Sequence, residues 1–285
     1  MSAPMSAPTI SFARGLGVVA REEFRRTLET RWLFGFTVLF ALLVLGVSYF
    51  GLAQGREVGF QGFARVTLSL MNLALLIVPL TGLMLGVTSI SGGHEAMGLL
   101  LAQPVGRTQV LLGKFLGLAA ALGLAQALGF GGGGVIVALH GGVDQARGFA
   151  VLTVLSLALG WVTLSVAMGI AAVWPDRLRA MSTALFVWLL MVVAYDLVVL
   201  GATVLLSGAP LESVLLPALL VNPVDLVRVL TTLSIGSGAL FGPTAAVLMR
   251  TMGTTGGIAL GIGALLVEGA VPLLVAAWVF RCRDW

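Results

Sequence analysis

The sequence predicts an all-α, polytopic membrane protein with six transmembrane helices, and its composition carries most of this prediction. Apolar residues make up 59% of the 285 positions and charged residues only 10%, against roughly 45–50% and 25% in soluble domains. The mean hydropathy is +1.08. So few charges cannot cover the surface of a soluble fold of this length, and the outer surface must therefore face lipid.

The apolar residues are gathered into runs that are long enough to span a bilayer, which takes about 20 helical residues for a hydrocarbon core of about 30 Å. Six runs qualify: 32–53, 66–90, 112–139, 149–174, 179–206 and 258–280. They define a membrane domain over 32–285. The first ten residues, MSAPMSAPTI, are small and polar, and they are predicted to be a disordered extension rather than a cleaved signal peptide.

The basic residues between the runs predict the orientation. One side of the membrane receives 11 Lys and Arg residues and the other receives 5. The positive-inside rule places the richer side, which includes both termini, in the cytoplasm. The basic residues lie at segment ends rather than in one stripe, so the net charge of +4 does not indicate a nucleic-acid partner.

Residues 11–31 are predicted to form an amphipathic helix on the cytoplasmic face. Ala20, Phe24 and Leu28 recur every four positions, whereas Arg and Glu occupy many of the remaining positions. This spacing is typical of a helix with one apolar face. Basic residues next to a span favour a helix that lies in the membrane interface. An ordinary surface helix is the alternative.

The segment 207–257 is predicted to place one or two short helices on the outer, extracytoplasmic surface between spans 5 and 6. Asn222 can cap a helix that begins at Pro223, with Asp225 in the first turn near the positive end of the helix dipole. Asp225 and Arg228 are three apart and share a face. The glycines that follow this helix predict a flexible or tightly turning connection.

Three glycine pairs have four-residue spacing, and small residues at this spacing let helices approach closely in lipid. These pairs are Gly82 and Gly86, Gly113 and Gly117, and Gly257 and Gly261.

The motifs of common enzymes are missing from the sequence. His94 and Glu95 open like a zinc-protease motif, but HEAMG has no second His. The nearest run to a phosphate-binding loop, GRTQVLLGKF, has the wrong spacing and ends in Phe115 rather than a hydroxyl residue. The single Cys282 excludes an intramolecular disulfide and a Cys-rich metal cluster. The scattered methionines favour core packing or lipid contact over a copper path. We therefore expect no catalytic residue, bound metal or cofactor on this chain.

Two acidic residues, Asp196 and Glu268, lie inside predicted spans. A charge at membrane depth costs a few kcal/mol, so such residues normally face the bundle interior, a partner or water. A structural hydrogen bond or a neutral acid is the first interpretation, and a substrate or proton site is the second. The spans offer no obvious Lys or Arg as a counter-ion.

The second cytoplasmic loop, from Ser91 to Gly117, is predicted to form a compact, partly apolar helix and turn. Its exposed leucines need a protein surface or the membrane interface to cover them. The residues expected to matter most are Glu95, Leu99, Leu100, Pro104 and Arg107.

Four stretches of the sequence resemble the ABC-2 type permeases, the six-span subunits that separate ATP-binding subunits drive. LLLAQPVGRTQVLLGKFLG resembles their coupling segment, and the more specific likeness comes from RRTLETRWLFGFTVLFALLVLGVSYFG, AYDLVVL and LLVNPVDLVRVL. Together these resemble the permeases of the copper-processing ABC systems that mature nitrous oxide reductase. One departure is that the family usually has a run of acids followed by Gly-Thr before the leucines, whereas Glu95 is the only acid in GGHEAMG.

The resemblance implies a bacterial inner-membrane permease that forms a homodimer with two cytoplasmic ATP-binding subunits, which use ATP and magnesium. It implies a periplasmic copper-assembly protein that rests on the outer helices, with Asn222, Pro223, Asp225 and Arg228 as candidate docking residues. The alternative within the same architecture is an exporter of a lipid or another hydrophobic small molecule. An intramembrane enzyme or a scaffold is a third class, which the lack of a paired nucleophile and base disfavours.

Overall fold

A computed structural model gives the arrangement of the chain. The structure describes residues 11–55, 60–91, 106–141, 143–174, 176–205, 211–235 and 242–282. The predicted N-terminal extension and four of the candidate coupling residues lie outside these ranges. Those four are Glu95, Leu99, Leu100 and Pro104.

The described part of the chain is helical, with no strand in it. Its α-helices are α1 (Phe12–Leu28), α2 (Arg31–Gly55), α3 (Phe60–Ser91), α4 (Arg107–Gly141), α5 (Val143–Val173), α6 (Arg177–Leu189), α7 (Tyr195–Leu205), α8 (Leu211–Leu219), α9 (Pro223–Ile235) and α10 (Pro243–Cys282). A π-helical segment, Leu190–Ala194, joins α6 to α7. The all-α fold class predicted from the sequence is confirmed.

Six helical stretches of the described residues are long and apolar enough to cross a membrane. They are Arg31–Tyr49, Thr67–Ser91, Arg107–Leu139, Ala146–Val173, Arg177–Leu205 and Thr244–Cys282. The predicted number of spans is therefore confirmed. We call these stretches the first to sixth spans.

The sixth span begins earlier than predicted. Its helix starts at Pro243 and runs through the glycines near position 256, which the sequence had indicated as a connection. The chain bends at Gly253, whose φ of 67° is open to glycine but strained for other residues. The non-helical conformation is confined to Gly253, and the helix then continues to Cys282.

The second and fourth spans form the closest pair at the centre of the bundle. A Cβ at Gly86 would lie 2.5 Å from the Cβ of Ala167, and one at Gly82 would meet the backbone of Gly160 at 3.0 Å. Only glycine permits this approach, which confirms the interpretation of the Gly82 and Gly86 pair.

Helix α1 packs along the start of the third span. A Cβ at Gly113 would lie 2.7 Å from the Cβ of Val19, and a Cβ at Gly117 would lie 2.5 Å from the carbonyl oxygen of Ala20. The predicted helix is therefore present. Part of its predicted apolar face is not covered, because Leu28 is exposed. The contact with these glycines helps to hold the helix to the bundle.

The two short helices between spans 5 and 6 are present as predicted, but α9 does not rest on a surface. It packs against α3, α5 and α10, and ten of its residues are buried, including Leu226 and Leu230. Helices α8 and α9 meet at a bend of 101°. The predicted surface location of α9 is wrong because three of its faces, rather than one, contact neighbouring helices.

Candidate functional site

The fifth span changes its helical period just before its polar residues. The π-helical segment Leu190–Ala194 precedes Tyr195 and Asp196. A π-helical turn inserts a residue into the α-helical repeat and rotates the side chains that follow it, and such turns are frequent at functional sites. Both polar side chains reach α9 from here, as the following distances show.

Arg228 of α9 binds two carboxylates at once. Its Nη1 donates to Oδ1 of Asp196 at 2.7 Å and its Nη2 donates to Oδ2 of the same residue at 3.1 Å. The Nη1 also donates to Oδ1 of Asp225 at 3.2 Å. The hydroxyl of Tyr195 donates to the other Asp225 oxygen at 3.2 Å. We call these four residues the outer network.

The outer network is partly open to its surroundings. The side chain of Asp225 is 4% exposed, that of Arg228 is 30% exposed and that of Asp196 is 48% exposed. A cavity of about 320 Å³ borders the three of them, with Thr232 and Thr244 among its other lining residues. The guanidinium thus holds one buried and one half-exposed carboxylate, which satisfies the requirement that a buried charge be paired.

Asn222 fixes the start of α9 in two ways. Its Oδ1 accepts a hydrogen bond from the backbone N–H of Val224 at 3.1 Å, which is the predicted N-cap. Its Nδ2 donates to the carbonyl oxygen of Met191 at 2.8 Å. Met191 lies in the π-helical segment of the fifth span, where the changed period disturbs the regular backbone pairing. One side chain therefore caps α9 and ties it to the fifth span.

The structure corrects the expectation that Asp196 has no counter-ion. Arg228 supplies one, and the two residues are 32 positions apart in the chain. The predicted pair of Asp225 and Arg228 at three-residue spacing is present as well. Residues that the sequence placed in two separate groups, one within the membrane and one on the outer surface, belong to a single network.

A second polar group, which we call the inner cluster, lies at the opposite end of the second span. Lys114 donates through Nζ to Oε2 of Glu23 at 2.8 Å and to the carbonyl oxygen of Ser89 at 3.2 Å. The Ser89 hydroxyl donates to Oε1 of Glu23 at 2.6 Å. The side chains of Lys114 and Glu23 are only 9% and 12% exposed. The cluster joins α1, α3 and α4.

The beginning of α4 is also tied to the end of α10. Arg107 donates through Nη1 to the carbonyl oxygen of Arg281 at 3.2 Å, and Arg281 donates through Nε to the hydroxyl of Thr108 at 3.2 Å. Ser89 and Arg107 lie close to the two borders of segment 92–105. Both flanks of that segment are therefore anchored to neighbouring helices.

Glu268 is the second acid that the sequence placed within a span, and it belongs to neither polar group. It lies in α10, and both of its carboxyl oxygens are buried. Within the described part of the chain, neither oxygen has a hydrogen-bond partner. Among the same residues, no group of three or more His, Cys, Asp or Glu side chains could hold a metal ion.

Sequence reasoning missed Tyr195 and the whole inner cluster. Glu23 falls among the charged positions of an amphipathic helix, and Lys114 looks like one of several basic residues at a span end. Nothing in their spacing indicates that residues 91 positions apart meet. The one available signal was the Gly113 and Gly117 pair, which indicates a close helix neighbour without naming it.

Comparison with known proteins agrees with this architecture. The model of the family described as ABC-2 family transporter protein matches residues 18–285. A protein named probable ABC transporter permease protein NosY from Stutzerimonas stutzeri is 36% identical over 231 residues, which cover 79% of this chain and 84% of that protein. The protein of the same name from Pseudomonas aeruginosa is 39% identical over 219 residues, covering 74% and 79%.

The family match extends from within α1 to the last residue of the chain, so it includes the inner cluster, all six spans and the outer network. Both relatives also cover more than two thirds of the chain at well over 30% identity. The chain belongs to the ABC-2 family of transporter proteins, as a permease subunit of an ATP-binding-cassette transporter.

Proposed function

We propose that this chain is the permease of a copper-processing transporter that couples ATP hydrolysis by a separate subunit to copper-site assembly on periplasmic nitrous oxide reductase. The similarity to two proteins named NosY supports this choice of system. The permease itself carries out no hydrolysis. Its part is to convert movement at the inner end of the bundle into movement at the outer end.

The observation that carries the proposal is the ion pair of Arg228 and Asp196. It joins the fifth span to α9, and α9 in turn packs against the second, fourth and sixth spans. A displacement of the fifth span therefore cannot leave α9 in place without breaking a two-pronged, charge-assisted contact. Rigid helices joined in this way transmit small shifts as discrete rearrangements.

The inner end is suited to receive such a movement. We assign segment 92–110, with Glu95, Leu99, Leu100, Pro104 and Arg107, as the contact to the ATP-binding subunit. The described residues at and next to its two ends support the assignment, because the inner cluster and the contact between Arg107 and Arg281 tie them to other helices. A push on the segment would reach α1, α3, α4 and α10 together.

The complete assembly would be a homodimer of this chain in the bacterial inner membrane, with two ATP-binding subunits and both termini on the cytoplasmic side. A periplasmic copper-assembly protein would dock over the bend between α8 and α9. Asn222, Pro223 and Asp225 are buried in the single chain, so we assign them to holding α9 in position beneath that partner. Arg228 is half-buried, so it can both hold α9 in position and contact the periplasmic partner.

The proposal is tested by complementation in a Stutzerimonas stutzeri strain that lacks its own NosY. This chain would be expressed together with its ATP-binding subunit. The copper content of purified nitrous oxide reductase would be measured by elemental analysis. We expect the copper content to be restored. The matched control is Asp196→Leu, which removes the partner of Arg228 and should leave the enzyme poor in copper although the permease is still inserted.

A well-expressed wild-type chain that restores no copper would reject the copper-processing function. If the envelope lipids of the complemented strain changed at the same time, the lipid-exporter alternative would replace it. If Asp196→Leu restored copper as well as the wild type, the transmitting role of the outer network would be wrong.

A further inference from the structure

A cavity of about 460 Å³ opens beside the inner cluster, between α1, the start of the first span and the second, third and fifth spans. Its volume falls within the range of about 300–1,000 Å³ that is usual for small-molecule sites. Glu23 and Ser89 of the inner cluster form part of its wall. None of the roles assigned above to the permease uses this cavity.

The polar and apolar lining residues lie at different depths. Arg26 and Thr30 near the end of α1 and Arg177 at the start of α6 line the cavity and are exposed, so all three lie at its mouth. Leu85 is six residues before the end of α3, about 9 Å further into the bundle at 1.5 Å per residue. Met181 lies one turn inside the fifth span. The cavity thus runs from a cationic mouth to an apolar interior.

Most polar groups in the wall are already occupied. The carboxylate of Glu23 is neutralised by Lys114 and accepts a further hydrogen bond from Ser89. The hydroxyl of Thr27 donates to the carbonyl oxygen of Glu23, and that of Thr30 donates to the carbonyl oxygen of Arg26. These groups have no proton left to offer an anion.

Two guanidinium groups remain as donors at the mouth. Arg26 uses its Nε on Glu22 at 2.8 Å, and a guanidinium group carries five N–H donors in all. Arg177 lines the same mouth. Arginine in this position favours a phosphate, whose oxygens match the fork of N–H groups. Trp32, which is 56% exposed at the start of the first span, completes the rim.

We propose that this cavity binds the headgroup and glycerol region of an anionic phospholipid from the leaflet next to α1. The phosphate and any second negative charge contact Arg26 and Arg177, and the first part of an acyl chain enters the apolar interior beside Leu85 and Met181. The lipid then fills the space between α1 and the fifth span. It is a bound component of the permease, whatever molecule or movement the transporter handles.

A free phosphate is a poorer match than a lipid, because it would leave the apolar part of the cavity unfilled. A phospholipid fits both parts of the cavity, since its phosphate can lie at the cationic mouth while its acyl chain fills the apolar interior. The spans on either side of the mouth already face the bilayer, so a lipid reaches the cavity without crossing water. An excess of arginine at the membrane surface attracts anionic lipids over zwitterionic ones.

The test uses the permease purified with its ATP-binding subunit in detergent, with phosphatidylglycerol, phosphatidylcholine and inorganic phosphate as separate probes. Native mass spectrometry measures bound lipid, and the melting temperature gives a second readout. The test variant is Arg26→Gln with Arg177→Gln. The matched control is Arg21→Gln with Arg179→Gln, which removes the same charge from the same two helices at positions outside the cavity.

We expect the wild type to retain phosphatidylglycerol in preference to phosphatidylcholine, and phosphatidylglycerol to raise its melting temperature. The test variant should bind phosphatidylglycerol roughly thirtyfold more weakly, because it loses two basic residues that each contribute about 1 kcal/mol near the membrane surface. The control pair should behave like the wild type.

Equal loss in both double variants would show a general surface-charge effect and overturn the proposal. Unchanged binding in the Arg26→Gln and Arg177→Gln variant would do the same. If inorganic phosphate at millimolar concentration stabilised the wild type as strongly as the lipid, the site would belong to a free phosphate and the lipid assignment would be wrong.

Discussion

Arg228 and Asp196 form a two-pronged ion pair, with N–O distances of 2.7 and 3.1 Å, that joins helix α9 to the fifth span. Arg228 reaches Asp225 at the same time. Because the Asp225 side chain is almost fully buried, the guanidinium does more than bridge two helices. It also neutralises a carboxylate that would otherwise be unpaired in a low-dielectric environment.

Replacing Arg228 with Met should therefore destabilise the permease beyond the loss of one surface contact. We expect a cost of about 2 kcal/mol, less than for a fully buried pair because both Arg228 and Asp196 are partly exposed. The melting temperature in detergent measures it. Arg147→Met is the matched control, since Arg147 is exposed on α5, and it should leave the melting temperature unchanged. Equal melting temperatures for the two variants would contradict the assigned role of Arg228.

The inner cluster gives a second prediction, in which a second substitution partly restores the stability that the first one removes. Lys114→Met leaves the carboxylate of Glu23 buried without a counter-ion, and we expect a loss of about 3 kcal/mol. Adding Glu23→Gln removes the unpaired charge and should recover part of the stability. The exposed pair of Arg25 and Glu29 is the control, because breaking it with Arg25→Met should cost well under about 1 kcal/mol. Additive losses at 23 and 114 would argue against a coupled pair.

The sequence predicted those features that depend on local pattern. Composition and run length indicate six spans, because a bilayer imposes both on a chain that crosses it. The capping by Asn222 and the pair of Asp225 and Arg228 follow from spacing along one helix. Each of these interactions joins residues within a single turn or a single helix, so the chain order is enough to find them.

The contacts between helices could not be predicted in the same way. Asp196 meets Arg228 only after a π-helical segment rotates the end of the fifth span, and no residue pattern in LMVVA indicates that change. Lys114 meets Glu23 because α1 folds back along α4, which depends on the packing of the whole bundle. The burial of α9 follows from the same packing, since its sequence alone is compatible with a surface helix.

The close approach of α1 to α4 should be sensitive to a single methyl group. A Cβ at Gly117 would lie 2.5 Å from a backbone oxygen of α1, which cannot move aside as a side chain could. We expect Gly117→Ala to cost about 1–3 kcal/mol through displacement of α1. Gly131→Ala in the same helix has open space around the new methyl group, so helix propensity should make it neutral or slightly stabilising. Thermal unfolding of both variants compares the two directly.

Changes in segment 92–110 are expected to weaken the contact with the ATP-binding subunit without preventing insertion of the permease into the membrane. The leucines there are assigned to the contact with the ATP-binding subunit, and an acidic side chain in an apolar contact is unfavourable. Leu99→Asp with Leu100→Asp should reduce co-purification of that subunit while membrane insertion stays normal. The control is Leu99→Ile with Leu100→Ile, which keeps apolar volume. Wild-type amounts of the ATP-binding subunit on the acidic variant would place the contact elsewhere.

A substitution at Glu268 can distinguish a structural role of this residue from a role that needs its carboxylate. Its two oxygens are buried without a hydrogen-bond partner among the described residues, and such burial is less costly for a neutral group than for a charged one. Glu268→Gln keeps the shape of the side chain and removes the ability to ionise. We expect this variant to insert, to melt at the wild-type temperature and to support the same copper content of nitrous oxide reductase. A Gln variant that assembles normally but leaves the enzyme without copper would show that the carboxylate itself takes part, because shape and packing are preserved and only the ability to ionise has been removed.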